Sequence, residues 1–214
     1  MIRKLTKTVI VLLLYVISLQ AQSQQPTPEA TPKTKYQLLL EKAKAKDKTI
    51  NFTELRNAFY ESPDYHPNTP MLTYRPLNAA IAQKNYEQAL QIAESVFAKN
   101  FVEVNAHMAA QIAYQETGNA ERAEFHKFMV DGLLNSIKSV GDGKTVATAF
   151  VVISINEEYG LIRSLGLRPI KQSLIQDKGH FYDAITVVDP QTNQESMLYF
   201  NVDKSFNWQP PRKP

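Results

Sequence analysis

Two short segments at a fixed offset constrain this chain more than any other feature. Asn85-Tyr86-Glu87-Gln88-Ala89 and Asn119-Ala120-Glu121-Arg122-Ala123 lie 34 residues apart. Around them, Leu77 to Ile137 carries apolar residues at helical spacing. A helix is predicted from Leu77 to Lys84. A second runs from Tyr86 to Lys99, with Ala89, Ala93, Val96 and Phe97 on one stripe. Val104, Met108 and Ile112 make the large-residue face of a third, and Ala106, Ala109, Ala110 and Ala113 let a neighbour approach closely. Gly118 and Asn119 turn the chain into a fourth, lined by Phe125, Phe128, Met129, Leu133 and Ile137. Two hairpins are too few to bury their own faces as a stack, so Met108, Ile112 and Phe128 need cover from other parts of the chain.

The period and the positions of Tyr114, Gly118 and Ala123 resemble the tetratricopeptide repeat. His107 and Gln111 stand where that repeat has its Trp and first Gly, and Ala120 replaces an aromatic residue. The resemblance implies a helical region over 35–138 built of tetratricopeptide-like hairpins.

Ahead of this region, Arg3, Lys4 and Lys7 precede an apolar run from Val9 to Leu19 and a small-residue stretch, Ala21-Gln22-Ser23. This pattern predicts a secretory signal peptide over residues 1–23. The run falls well short of the roughly 20 residues that span a bilayer. No Cys follows it for a lipid anchor, so an exported protein, periplasmic or secreted and not a lipoprotein, is expected with no membrane span after processing. Residues 24–34 are rich in Gln, Pro and Thr, and read as a disordered linker.

The chain has 24 basic and 21 acidic residues, and removal of the signal would take away three of the basic ones. A balanced charge gives no support for nucleic acid as a partner. With no Cys there are no disulfides, no thiolate nucleophile and no Cys-ligated metal.

Between linker and hairpins, Lys35 to Lys46 is amphipathic. Asn51 then caps a helix over Phe52–Tyr60, with Glu54 closing the cap and Ile50 packing on Leu55. Ser62 to Pro70, with three prolines, is a loop whose aromatic residues and His66 pack on the surface. After Ile137 the character changes. Gly141-Asp142-Gly143 marks a boundary, and Ala149 to Ile155 reads as a buried strand. Asn156 caps a helix with Glu157 and Glu158 in its first turn, ending at Gly166. Strand-like runs follow over Lys171–Gln176, His180–Val188 and Met197–Val202. Their short connections predict an antiparallel meander within a C-terminal region over 146–208, at whose end Trp208 docks, followed by a tail over 209–214.

Several phrases in order resemble an uncharacterised family of exported bacterial proteins that share a domain of unknown function. They are Asn51-Phe52-Thr53-Glu54-Leu55-Arg56, Asp142-Gly143-Lys144, Ala149 to Ser154, Glu157-Glu158-Tyr159, Leu165 to Pro169, Val187 to Pro190 and Leu198 to Asp203. The resemblance spans about Ile50 to Trp208. It implies an architecture and an exported location, with no activity and no active-site residues attached.

No reaction motif stands out. Gly143-Lys144-Thr145 ends like a phosphate-binding loop, but Lys138 occupies the position of the first Gly, and a helix precedes it where a strand is required. The four histidines, at 66, 107, 126 and 180, lack ligand spacing, and neither a metal nor a cofactor is expected. The candidate binding residues are Glu157, Glu158, His180, Tyr182 and Asp183. The two glutamates suit a helix start, where the dipole favours negative charge. His180 and Tyr182 share one face of a strand, and Asp183 points to the other.

The expected fold is α+β, with helical hairpins packed on an antiparallel sheet of about four strands and one helix. The expected function is a non-enzymatic accessory of the bacterial cell envelope that binds a partner protein or peptide. The alternative is a small-ligand binder or hydrolase with its site between helices and sheet.

Overall fold

A computed structural model describes residues 32–67 and 71–209, without the side chains of residues 71–73. The expected signal over 1–23, most of the linker over 24–34 and all but the first residue of the tail fall outside them. Six helices come first: α1 (Lys35–Lys44), α2 (Phe52–Tyr60), α3 (Met71–Ala82), α4 (Tyr86–Phe97), α5 (Val104–Glu116) and α6 (Ala120–Lys138). The strands β1 (Phe150–Val151), β2 (Arg168–Asp177), β3 (His180–Val188) and β4 (Glu195–Asn201) then share the chain with α7 (Ile155–Ser164) and a final single turn, α8 (Asp203–Phe206). The fold is mixed helix and sheet.

The 34-residue offset marks two equivalent turns. The Asn85 side chain accepts from the Gln88 amide at 3.2 Å, and the Asn119 side chain accepts from the Arg122 amide at 3.2 Å. Each Asn also donates its own backbone N–H back to the preceding helix, to Ala80 O and Tyr114 O, both at 2.8 Å. The residue just before each Asn is left-handed, Lys84 at φ +57° and Gly118 at φ +78°, which closes the helix end in a Schellman-type turn. The helix expected from Leu77 already begins at Met71 and carries Pro76 inside it, at the loss of one helix hydrogen bond.

Two cores result. A smaller one joins Leu77, Ala89, Ala93, Val96, Ala106 and Ala110 of α3, α4 and α5, where small side chains allow close helix contact. The larger one takes Leu55 and Phe59 from α2, Met129, Leu133 and Ile137 from α6, Leu161 and Ile162 from α7, and Ile185, Val187, Leu198 and Phe200 from the sheet. The sheet therefore covers α2 and α6, and Met108 and Phe128 pack against this core. Ile112, expected beneath a cover, stays exposed on α5. Trp208 docks as expected, edge-on to Tyr65 and His66 with ring centroids 6.1 and 5.4 Å away.

The sheet order is β1-β4-β3-β2. β2, β3 and β4 form the expected antiparallel meander, but β1 lies parallel to β4, pairing Phe150 with Phe200, so the sheet is mixed and not purely antiparallel. The apolar run from Ala149 to Ile155 supplies only two strand residues. Val152 and Ile153 drop into the core, and α7 starts at Ile155 with Ser154 at the cap position, so Asn156 is not the cap. A short apolar run reads the same whether it is strand or buried coil, which is why periodicity alone misplaced this boundary.

α7 packs on α5 through Gly160, where an added Cβ would sit 2.5 Å from Val104 Cγ1. Gly160→Ala is expected to cost about 1–3 kcal/mol through overpacking. Urea unfolding checks this, and an unchanged midpoint would show that the two helices separate freely.

Candidate functional site

The first turn of α7 places three successive polar side chains in the interior, where they diverge to separate partners. Asn156 turns toward α5: its Nδ2 donates to Glu103 Oε2 at 2.8 Å, while Asn105 Nδ2 donates to Glu103 Oε1 at 3.0 Å and to the Asn156 carbonyl at 2.9 Å. Burial raises the Glu103 carboxyl against the lowering effect of these donors.

Glu157 turns toward α2. Arg56 holds it with two parallel bonds, Nε to Oε1 at 2.7 Å and Nη2 to Oε2 at 2.6 Å, and both side chains are only 5% exposed. The remaining lone pairs and protons are also used. Arg56 donates to Ser136 Oγ and to Val151 O, and the Ile153 amide donates to Glu157 Oε2 at 2.8 Å. This residue, a binding candidate from sequence, is a structural node tying α2, α6 and β1 together.

Glu158 turns toward the sheet and lies beside Asp183 of β3. It is fully buried, and apart from the neighbouring Asp183 carboxyl its oxygens have no hydrogen-bond partner among the described residues. Burial pushes its carboxyl well above the ordinary value, and the Asp183 and Glu157 charges add to the push. Asp183 is raised as well, chiefly by burial, although Gln172 Nε2 donates to its Oδ2 at 2.7 Å. Gln172 in turn accepts from the Tyr159 hydroxyl at 2.7 Å. Two neighbouring carboxyls of raised pKa in a low-dielectric site favour holding a proton between them.

Asp183 borders a cleft of about 360 Å³. Its apolar walls are Pro67 from the loop after α2, Ile155 at the start of α7, Leu174 of β2, and Val202 and Phe206 around α8. Its polar groups are Asp183, Gln172 and Ser205. Leu174 and Phe206 are 51% and 50% exposed, unusual for side chains of their size. Leu174 pairs across the sheet with Asp183, which sets both on one face of adjacent strands. The cleft thus sits where the helices meet the sheet, beside β2, which pairs with β3 alone among the described strands.

Of the five candidates, the structure brings together Glu158 and Asp183 only. His180 Nδ1 meets Asp203 Oδ2 at 2.6 Å on the surface, where the Phe181 amide also donates to Asp203 and fixes α8 against β3. Tyr182 is buried on the sheet face opposite Asp183 and takes no part in the cleft. Gln172, Leu174 and Phe206 were missed. Gln172 and Leu174 alternate on β2 with the spacing of a shared face, which was a readable signal. Phe206 sits in a single-turn helix that no periodicity announces.

A second buried polar group also escaped prediction. His107 and His126, 19 residues apart on α5 and α6, meet Nδ1 to Nδ1 at 2.8 Å, and His107 Nε2 lies 2.9 Å from the Phe101 carbonyl. A carbonyl can only accept, so His107 carries its hydrogen on Nε2, and its Nδ1 accepts from His126. His126 stacks on Phe97 and Tyr114 at 15° and 13°. Burial lowers His107 to about 3 and His126 to about 4, so both are neutral at physiological pH. Among the described residues no group of three or more His, Cys, Asp or Glu is placed to hold a metal ion, and no helix is long and apolar enough to cross a membrane.

A family model described as a domain of unknown function, DUF4919, matches residues 27–209. No curated protein and no solved structure matches the chain.

Proposed function

The chain belongs to this family of a domain of unknown function, and on that footing we propose that it is an exported, non-enzymatic binding protein of the cell envelope that takes an extended peptide segment. One observation carries the reading: an apolar-walled cleft of about 360 Å³ opens beside the edge of β2 that is unpaired among the described residues, with two half-exposed apolar side chains at the cleft. A cleft of this size, mostly apolar with few polar groups, suits a ligand side chain. A free strand edge supplies main-chain hydrogen bonds to an extended segment, and the adjacent cleft supplies selectivity. In this reading the tetratricopeptide-like hairpins of α3 to α6 serve as the supporting layer, because their facing surfaces are filled by α2, α7 and the sheet.

The alternative of a hydrolase draws on the same acid pair, and burial weighs against it. Glu158 is sealed from solvent, so only Asp183 can touch a bound molecule, whereas acid–base catalysis by a pair needs both groups within reach of the reacting atoms.

Panning a displayed peptide library against the purified chain is expected to enrich β-branched and aromatic segments, with NMR shifts confined to β2 and α8. Leu174→Glu is expected to weaken binding at least tenfold, since it sets a charge in the apolar wall. Enriched peptides that shift only the outer sheet face or α3–α5 would refute the reading. Export is tested separately, by fusing residues 1–30 to a reporter enzyme that is active only outside the cytoplasm.

Glu158 also bears on the proposal through stability. Glu158→Met is expected to stabilise the fold by about 1–3 kcal/mol, because a buried carboxyl set against a second acid costs more than a thioether of similar volume. Chemical denaturation at neutral pH measures this. A gain in stability accompanied by weaker peptide binding would mark the acid as kept for function.

A further inference from the structure

The cleft's charge is unanswered. Among the described residues, the Arg56 guanidinium is committed to Glu157, and no Lys, Arg or His forms an ion pair with Glu158 or Asp183. The partner of Asp183 is the neutral amide of Gln172, which is itself engaged by the neutral Tyr159 hydroxyl. Glu158 is fully buried beside Asp183 and, that acid apart, has no hydrogen-bond partner among the described residues. A buried carboxyl pair without a cation is costly, and native interiors ordinarily supply a counter-charge or donors. The cleft, which Asp183 borders, gives the pair an approach from outside.

The geometry points to a cationic group of the ligand, the ammonium of a lysine or the guanidinium of an arginine side chain, seated against Asp183 with its aliphatic stem along Ile155, Leu174 and Phe206. The chemistry of the walls matches such a side chain, whose methylene stem is apolar and whose head is charged. Adjacent acids hold net negative charge even when they share one proton, so a cation is drawn in where a neutral or anionic head would be repelled or left unsatisfied. Gln172, half-committed to Asp183, fixes the carboxylate's orientation and is a positioning residue.

This inference rests on the reading of the cleft as a peptide site, and the test separates the two. Two degenerate pentapeptide pools are compared on the full mature chain by NMR titration and calorimetry, one with Lys fixed at the central position and one with norleucine, which keeps the stem and removes the charge. The Lys pool is expected to bind at least tenfold more tightly. Asp183→Asn is expected to erase that preference, bringing the Lys pool down to the affinity of the norleucine pool. Glu158→Gln, which retains Asp183, is expected to reduce the preference only in part. Equal binding of both pools at the cleft would overturn the cationic inference and leave the peptide site standing. Absence of shifts at β2 and α8 with either pool would overturn both. Should Asp183→Asn fail to fold, Gln172→Leu serves in its place, with a weakened Lys preference expected and an unchanged one counting against the inference.

Discussion

Glu157→Gln is expected to destabilise the fold by about 3–5 kcal/mol, the cost of leaving a buried arginine without its counter-charge. Arg56 sits nearly sealed between α2, α6 and β1, and the Glu157 carboxylate takes two of its donors and the Ile153 amide as well. The amide of Gln can accept one of these bonds but presents an N–H₂ to the remaining donors. A midpoint shift in urea measures the effect. In thermal unfolding the same loss corresponds to about 2–4 °C per kcal/mol for a chain of this size. The paired replacement Arg56→Met with Glu157→Leu is expected to recover most of the loss, because removing both charges avoids the desolvation penalty. A single-variant loss under about 1 kcal/mol, the range of exposed ion pairs, would mean that water reaches the pair and that it does not organise the interior.

That node explains why Glu157 looked functional from sequence. Adjacent glutamates at a helix start satisfy the helix dipole wherever they point, so sequence carries no record of which one meets an arginine and which meets a second acid. The distinction is set by the roughly 100° turn between neighbours on α7, which sends Asn156, Glu157 and Glu158 to three different elements. The partners of Glu157 and Glu158, Arg56 and Asp183, lie 101 and 25 residues away in the chain, and no local pattern encodes such distances.

The parts of the fold that were legible are those governed by local rules. The turn at Gly118 and Asn119, the helical stripe of α4 and the β2–β3–β4 meander follow from spacing and turn residues, and each stands where the spacing set it. What was not legible depended on long-range closure. The parallel seat of β1 beside β4 is set by the core side chains of Phe150 and Phe200, whose rings pack 5.6 Å apart, and two residues of strand give no alternation to read. The cleft is legible only in part for the same reason. Leu174 and Asp183 lie on predicted strands, but their facing positions depend on the register of β2 against β3.

The histidine pair yields the second large effect, and its sign follows from the direction of the shifts. An unfolded histidine takes up a proton as pH falls through about 6.5. His107 and His126 resist protonation in the fold until about pH 3 and about pH 4, because burial disfavours the charged ring and each already fills a hydrogen-bonding role as a neutral tautomer. A folded pKa below the unfolded one makes the unfolded state the better proton binder, so stability is complete above about pH 6.5 and drains away below it. Each histidine contributes a slope of at most about 1.4 kcal/mol per pH unit across that window. The raised carboxyls Glu103, Glu158 and Asp183 act in the opposite sense. Their folded forms hold protons that the unfolded chain has released, so they favour the fold on acidification and oppose it as pH rises through their folded values. The raw pH–stability curve mixes both, and a difference between variants separates them. His107→Gln keeps a donor for the Phe101 carbonyl and an acceptor for His126, but cannot titrate. Between pH 6.5 and 4.5 the original chain is expected to lose about 1 kcal/mol per pH unit relative to this variant in urea unfolding. Parallel curves over that interval would show that His107 is protonated in the fold at ordinary values, which a ring enclosed by Phe97, Phe101 and Phe125 and bonded at both nitrogens does not permit.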